Sequence, residues 1–252
     1  MVSPFLGASS FASRVETSAG DPAGGRPASF LANVVLAYMT VRGGTAGVEV
    51  RTGGVTQTRL ALVIAVGNGT GFAIVGGGNV AADSEVRDSA GNGISILGGG
   101  NEGLGGEVRT SGGHGVFVSG NANRILGVCA GAAGAGNAGD GVHAEGAGNL
   151  VQGCAADGNG GDGIEFVNTA AADPNRAIGN AAGLLAGNAG HGILTGGNGN
   201  GTADRSGNEV RGSGGSGIRV QGNSHLVSGN RVAWNGGPVA SAANHGISVT
   251  GS

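Results

Sequence analysis

Asp140 and Asp162 stand 22 residues apart, each directly before a glycine, and His114, His191 and His245 occupy the same place before other glycines. Two residues beyond those glycines come His143 and Glu165, and Glu145 follows at four. When the glycines are brought into register, these side chains share one stretch of surface with Asp140 and Asp162 about one strand spacing apart, ~4.8 Å. Two carboxylates that close support two kinds of chemistry. With Glu165 they offer the oxygens that a hard cation such as calcium takes. Alternatively, repulsion raises one carboxyl pKa and makes it a general acid. His143, Glu145 and Trp234 are then the candidate substrate contacts. Aspartate, asparagine and serine are also ordinary turn residues, and three of the five histidines fall in one repeat column. Turn chemistry therefore stands beside the functional reading.

The elements that must position these residues come from a repeat. Register glycines at 47, 71, 93, 115, 141, 163, 192, 217 and 246 are separated by 22 to 29 residues. One residue after each stands Val48, Phe72, Ile94, Val116, Val142, Ile164, Ile193, Ile218 or Ile247, and a second, mostly apolar column follows at three. Alternation with a period of two marks a strand with one buried face. The same strand returning in the same phase stacks in parallel, and eight intervals of ~4.8 Å make a rod of roughly 38 Å. Asparagine eight residues after Gly71, Gly93, Gly115 and Gly141 marks a second corner, where stacked amides form an asparagine ladder. The register glycines are expected to supply the unusual backbone angles of a tight corner.

Glycine and proline fill 65 of 252 positions, a proportion that otherwise suggests low-complexity chain. Charged residues are only 12% and the net charge is −3, which with the repeated valine and isoleucine columns argues for a packed solenoid. The 13 basic residues are all arginine and scattered, so lysine chemistry is excluded and no nucleic-acid footprint appears. No run approaches the ~18 apolar residues of a membrane span, and Met1 to Arg14 lacks the features of a secretory signal. Cys129 and Cys154 point to opposite faces in simple register and are read as free thiols.

Asn123 and Asn149, with corner-and-strand units such as Gly163-Ile164-Glu165-Phe166, resemble right-handed parallel β-helix repeats of the pectate-lyase-like superfamily over residues 29–252. The resemblance implies an all-β solenoid of about nine coils preceded by an irregular segment, 1–28, and a secreted or cell-surface setting. The superfamily includes polysaccharide lyases, hydrolases and epimerases as well as adhesins, so it fixes the fold rather than an activity. Its calcium-dependent lyases pair acidic ligands with a basic residue on the same face, and Arg219 is the convenient candidate for that base. Gly113-His114-Gly115, Gly190-His191-Gly192 and the sequence around His245 echo the glycine-histidine-glycine motif of polygalacturonases, but the accompanying aspartate pair and arginine-any-lysine motif are missing. Gly67-Asn68-Gly69 imitates a dinucleotide-binding turn, yet Phe72 to Val75 continues as a strand rather than a helix.

Extra residues enter between Phe166 and Asn175, Thr195 and Asn208, and Trp234 and His245. Loops lengthened on one flank of a solenoid often line its binding face. No complete catalytic set emerges, so the primary expectation is a non-catalytic extracellular scaffold or binding module, with a polysaccharide or another protein as partner. The alternative is an enzyme modifying acidic glycans through Asp140, Asp162, Glu165 and Arg219. The coil at Gly246 is expected to continue beyond Ser252 or to self-associate through its open edge.

Overall fold

The computed structural model describes residues 13–17, 34–52, 57–167, 175–184, 187–196, 203–222, 225–236 and 245–250. They form a parallel β-helix built of three sheets with ten, nine and nine strands. Sheet 1 contains the strands that follow the register glycines, among them Val116–Ser119, Val142–Glu145, Ile164–Val167, Ile193–Gly196 and Ile218–Gln221. Every pairing is parallel and joins residues one coil apart, so Val116, Val142, Ile164, Ile193 and Ile218 lie in one column. Ser13–Thr17, inside the segment read as irregular, is itself a strand paired with Ala46–Thr52. The rest of 1–28 lies outside the described residues, as do the lengthened parts of the three turns at 168–174, 197–202 and 237–244 and the chain end at 251–252.

The two inward columns of sheet 1 pack in the core against inward residues of the other two sheets, such as Leu60, Ile125 and Val151 of sheet 2 and Val86, Val108 and Val210 of sheet 3. From Val48 to Ile218 the first is buried throughout, and from Val50 to Val220 so is the second. Each buried Ile or Val side chain stabilises by about 1.5–3 kcal/mol, but only because its neighbours in the adjoining coils cover it. At the last described strand this cover ends, and Ile247 and Val249 are 46% and 63% exposed.

Asparagines bind coil to coil at all three corners. Between sheets 1 and 2, Asn101 Nδ2 donates to Asn123 Oδ1 at 3.1 Å and Asn123 Nδ2 to Asn149 Oδ1 at 3.1 Å. Each Oδ1 also accepts the backbone N–H of the preceding coil's asparagine at 2.9 Å. Asn137, Asn159 and Asn188 repeat the arrangement between sheets 3 and 1, and Asn180, Asn208 and Asn230 between sheets 2 and 3. A buried corner leaves N–H groups without strand partners, and an amide side chain supplies the acceptor while its own NH2 finds a carbonyl.

The reason for the register glycines differs from the expected one. None of those from Gly47 to Gly217 has a left-handed φ. Instead there is no room for a Cβ: at Gly93 it would lie 2.2 Å from Val108 Cγ1 and 2.7 Å from the Gly115 carbonyl. Close approach between sheets 1 and 3 demands glycine here, and backbone angle does not.

Candidate functional site

The residues just before the register glycines form a chain of bonds up the edge of sheet 1. Each side chain accepts the backbone N–H of its counterpart in the next coil. Asn92 Oδ1 accepts from His114 at 2.9 Å, His114 Nδ1 from Asp140 at 3.1 Å, and Asp140 Oδ1 from Asp162 at 2.7 Å. Asp162 Oδ1 then accepts from His191, His191 Nδ1 from Ser216 at 2.8 Å, and Ser216 Oγ from His245 at 3.1 Å. The glycine before Asp140, Asp162 and His191 makes the space. A Cβ at Gly139 would lie 2.9 Å from His114 Nδ1, at Gly161 2.2 Å from Asp140 Oδ1, and at Gly190 2.2 Å from Asp162 Oδ1. The glycine-histidine-glycine echoes are thus consequences of stacking.

A second column, pointing outward from the middle of sheet 1, runs through Phe117, His143, Glu165, Leu194 and Arg219. The two columns meet at Asp140 and His143. His143 Nδ1 lies 3.0 Å from Asp140 Oδ2 and 2.7 Å from Glu165 Oε2. The His143 ring stacks on Phe117, with centroids 5.6 Å apart and planes 13° from parallel. Burial alone would lower the His143 pKa, but its bonds to Asp140 and Glu165 push it up to about 10, so it is an imidazolium at neutral pH. Burial would likewise raise Asp140; the donors around its carboxylate, among them the His143 ring and the Asp162 backbone N–H, outweigh that and hold it well below the ordinary carboxylate range.

Asp162 behaves in the opposite way. It is only 8% exposed, and that burial, together with the charges of Asp140 and Glu165, pushes its carboxyl up to about 6. The backbone N–H of His191 and the charge of Arg219 act against the rise without cancelling it. Two aspartates in equivalent turn positions are therefore split apart by their surroundings. Asp140 is a fixed anion, whereas Asp162 exchanges a proton near neutrality.

Asp140, Asp162, Glu165, His143 and Arg219 are brought onto one face, in neighbouring coils. Glu145 is at its rim, with Oε1 3.6 Å from His143 Nε2. Trp234 is not part of it. It follows the sheet 3 strand Arg231–Ala233, three coils beyond Asp162, and packs against the Arg211 guanidinium, 5.4 Å from the ring centroid. It is 79% exposed and packs at the edge of sheet 3, three coils away from the cluster. Sequence reasoning did not single out Gln221, which with its amide oxygen facing Arg219 accepts from Nε at 3.0 Å and Nη2 at 2.9 Å. Its position four residues after Gly217, on the outward side, was the available signal. Cys129 is exposed and Cys154 buried, both free.

No protein-family model matches this sequence, and no curated protein matches it. Among solved structures, the chain is similar to pectate lyase Pel9A, with a TM-score of 0.59 and 15% identity over 87% of this chain and 68% of that one. The chain has a pectate-lyase-like β-helix. The A-module of the Azotobacter vinelandii mannuronan C-5 epimerase AlgE4 is also similar, with a TM-score of 0.49 and 12% identity over 87% of this chain and 80% of that one. At such identities the likeness is one of fold.

On this β-helix Asp140, Asp162 and Glu165 bring carboxylate oxygens within 4.8 Å of one another, a spacing compatible with a shared cation. Several of these oxygens are already engaged. Asp140 Oδ1 takes the Asp162 N–H, while Asp140 Oδ2 and Glu165 Oε2 face the His143 imidazolium. With these oxygens engaged, a calcium ion here would take most of its 6–8 ligands from water, beside the positive charge of His143.

Proposed function

We propose that the protein is an enzyme that modifies an acidic polysaccharide along the outward face of sheet 1, with Asp162 as its proton-transfer group. The observation that carries this reading is the divergence of the two aspartates. A buried carboxyl titrating at about 6 stands between a fixed Asp140–His143–Glu165 network and the cation of Arg219. Above that pH Asp162 is a base, and below it an acid, which is the tuning that general acid–base catalysis needs. Glu165 flanks it, the imidazolium of His143 holds Glu165 in place, and Phe117 offers an apolar ring beside them. The long face of a β-helix accommodates an extended chain, and proton transfer on such a chain covers lyase, epimerase and hydrolase chemistry. A polymeric glycan lies outside the cell, so a secreted or cell-surface setting goes with this reading.

The second reading is a non-catalytic module, and one observation favours it. His114, Asp140, Asp162 and His191 each spend an acceptor on the next coil's N–H, so all four have a structural reason to be polar. The experiment that separates the two incubates the protein with a panel of uronate polymers. Unsaturated ends, new reducing ends and inverted sugar stereochemistry are measured for the wild type, Asp162→Asn and Glu165→Gln. Turnover by the wild type that Asp162→Asn abolishes supports the enzyme. Inertness of the wild type across the panel leaves the module.

A further inference from the structure

Arg219 and His191 bring two side-chain nitrogens close together beside Asp162. His191 Nδ1 accepts the Ser216 N–H at 2.8 Å, so the neutral ring carries its proton on Nε2. Burial first, and then the neighbouring guanidinium, hold this imidazole below its usual pKa, so it is neutral at pH 7. Its Nε2 lies 3.4 Å from Arg219 Nη1, and both nitrogens are donors. Gln221 engages Nε and Nη2 of the same guanidinium, which fixes its plane and leaves Nη1 turned toward His191.

The guanidinium also differs from the other arginines in its contacts. Arg51, Arg87, Arg109, Arg124, Arg211 and Arg231 each lie against a glutamate. Arg219 makes no ion pair among the described residues. Two converging donors that carry one positive charge suit a planar, singly charged oxyanion, one oxygen to each nitrogen. A doubly charged phosphate is less suited, because Asp162 and Glu165 stand beside the site. Arginine also stays protonated at any pH the protein meets, which argues against its serving as the base.

We propose that Arg219 and His191 form a clamp for the carboxylate of a uronate residue, oriented by Gln221 and placing that sugar against Asp162. The proposal rests on the acidic-glycan reading and names the substrate group that this face recognises. It makes Arg219 a binding residue and leaves proton transfer to Asp162.

The test uses trigalacturonate and trimannuronate beside their carboxyl-reduced counterparts, titrated calorimetrically at pH 7 with EDTA present. The proteins are the wild type, Arg219→Met and His191→Asn. Asparagine at 191 retains the coil-to-coil acceptor, as Asn92 does in the same column, and removes the Nε2 donor; unchanged melting confirms intact folds. The expected result is binding of at least one carboxylated trisaccharide, weakened roughly tenfold or more by carboxyl reduction or by Arg219→Met, and severalfold by His191→Asn. Equal binding by the reduced sugar, or by Arg219→Met, overturns the clamp while leaving the enzyme reading standing. Should neither trisaccharide bind, acetate is titrated instead and the His191 ring followed by NMR. A shift that Arg219→Met abolishes upholds the clamp and sinks the glycan reading, whereas no shift overturns the clamp.

Discussion

Asp162→Asn separates a residue kept for proton transfer from one kept for turn geometry. The amide retains the Oδ1 that accepts the His191 N–H, so the coil-to-coil bond survives while the ionisable group disappears. The Asp162 carboxyl moves from 3.8 up to about 6 in the folded protein. A folded pKa raised in an acid means that the native state holds its proton more tightly. The associated stability is complete below pH 3.8 and is lost as pH rises through about 6. At about 1.4 kcal/mol per pKa unit the ceiling is near 3 kcal/mol, and solvent at the rim reduces this to about 1–2 kcal/mol. At pH 8 the variant should therefore melt higher than the wild type by roughly 2–8 °C for a domain of this size, with little difference at pH 4. The measurement is thermal unfolding followed by circular dichroism at both values. A variant that melts lower at pH 8, or shifts equally at pH 4 and pH 8, would refute the reasoning, because the carboxylate would then be earning its place structurally. A gain in stability with loss of turnover is the pattern of a functional residue.

Other expectations follow from the same geometry. His143, raised to about 10, contributes stability that is complete below pH 6.5 and is lost as pH climbs through about 10. Wild-type melting should fall across that window, and His143→Gln should flatten the profile; an unchanged slope would remove His143 from the network. Gly93→Ala forces a Cβ to 2.2 Å from Val108 Cγ1 and should cost on the order of 3 kcal/mol in urea unfolding. Gly100→Asn, at φ +67° with nothing within 4 Å, should be nearly neutral by the same assay. Calcium titration should give no saturable heat at millimolar concentration, and a transition abolished by Asp162→Asn would place the cation at the carboxylates after all.

Much of this was legible in the sequence, because stacking turns spacing into contact. The glycine interval put Phe117, His143, Glu165, Leu194 and Arg219 in successive coils, and in-register pairing made them neighbours. Period-two alternation named the buried columns, and it failed only at Ile247 and Val249, where no described strand covers them. The asparagines were traced at one corner, although amides bind coil to coil at three. The other two corners were harder to see, because serine and cysteine interrupt them at Ser111 and Cys154.

The tertiary structure decided what those neighbours do. Asp140 and Asp162 have the same immediate neighbours in sequence, each between two glycines, yet the imidazolium of His143 stands beside the first and carboxylates crowd the second. Their protonation depends on directions and distances summed over several coils, which a one-dimensional period does not carry. The same holds for Trp234, which sequence placed among the contacts and the fold placed against Arg211 at the edge of sheet 3, three coils away. It holds too for the register glycines, whose constraint is a Cβ clash across the core. Composition and period sufficed for the rod and for the order of side chains along it, because each follows from local alternation repeated. Charge state, tautomer and donor direction were fixed only where separate coils met.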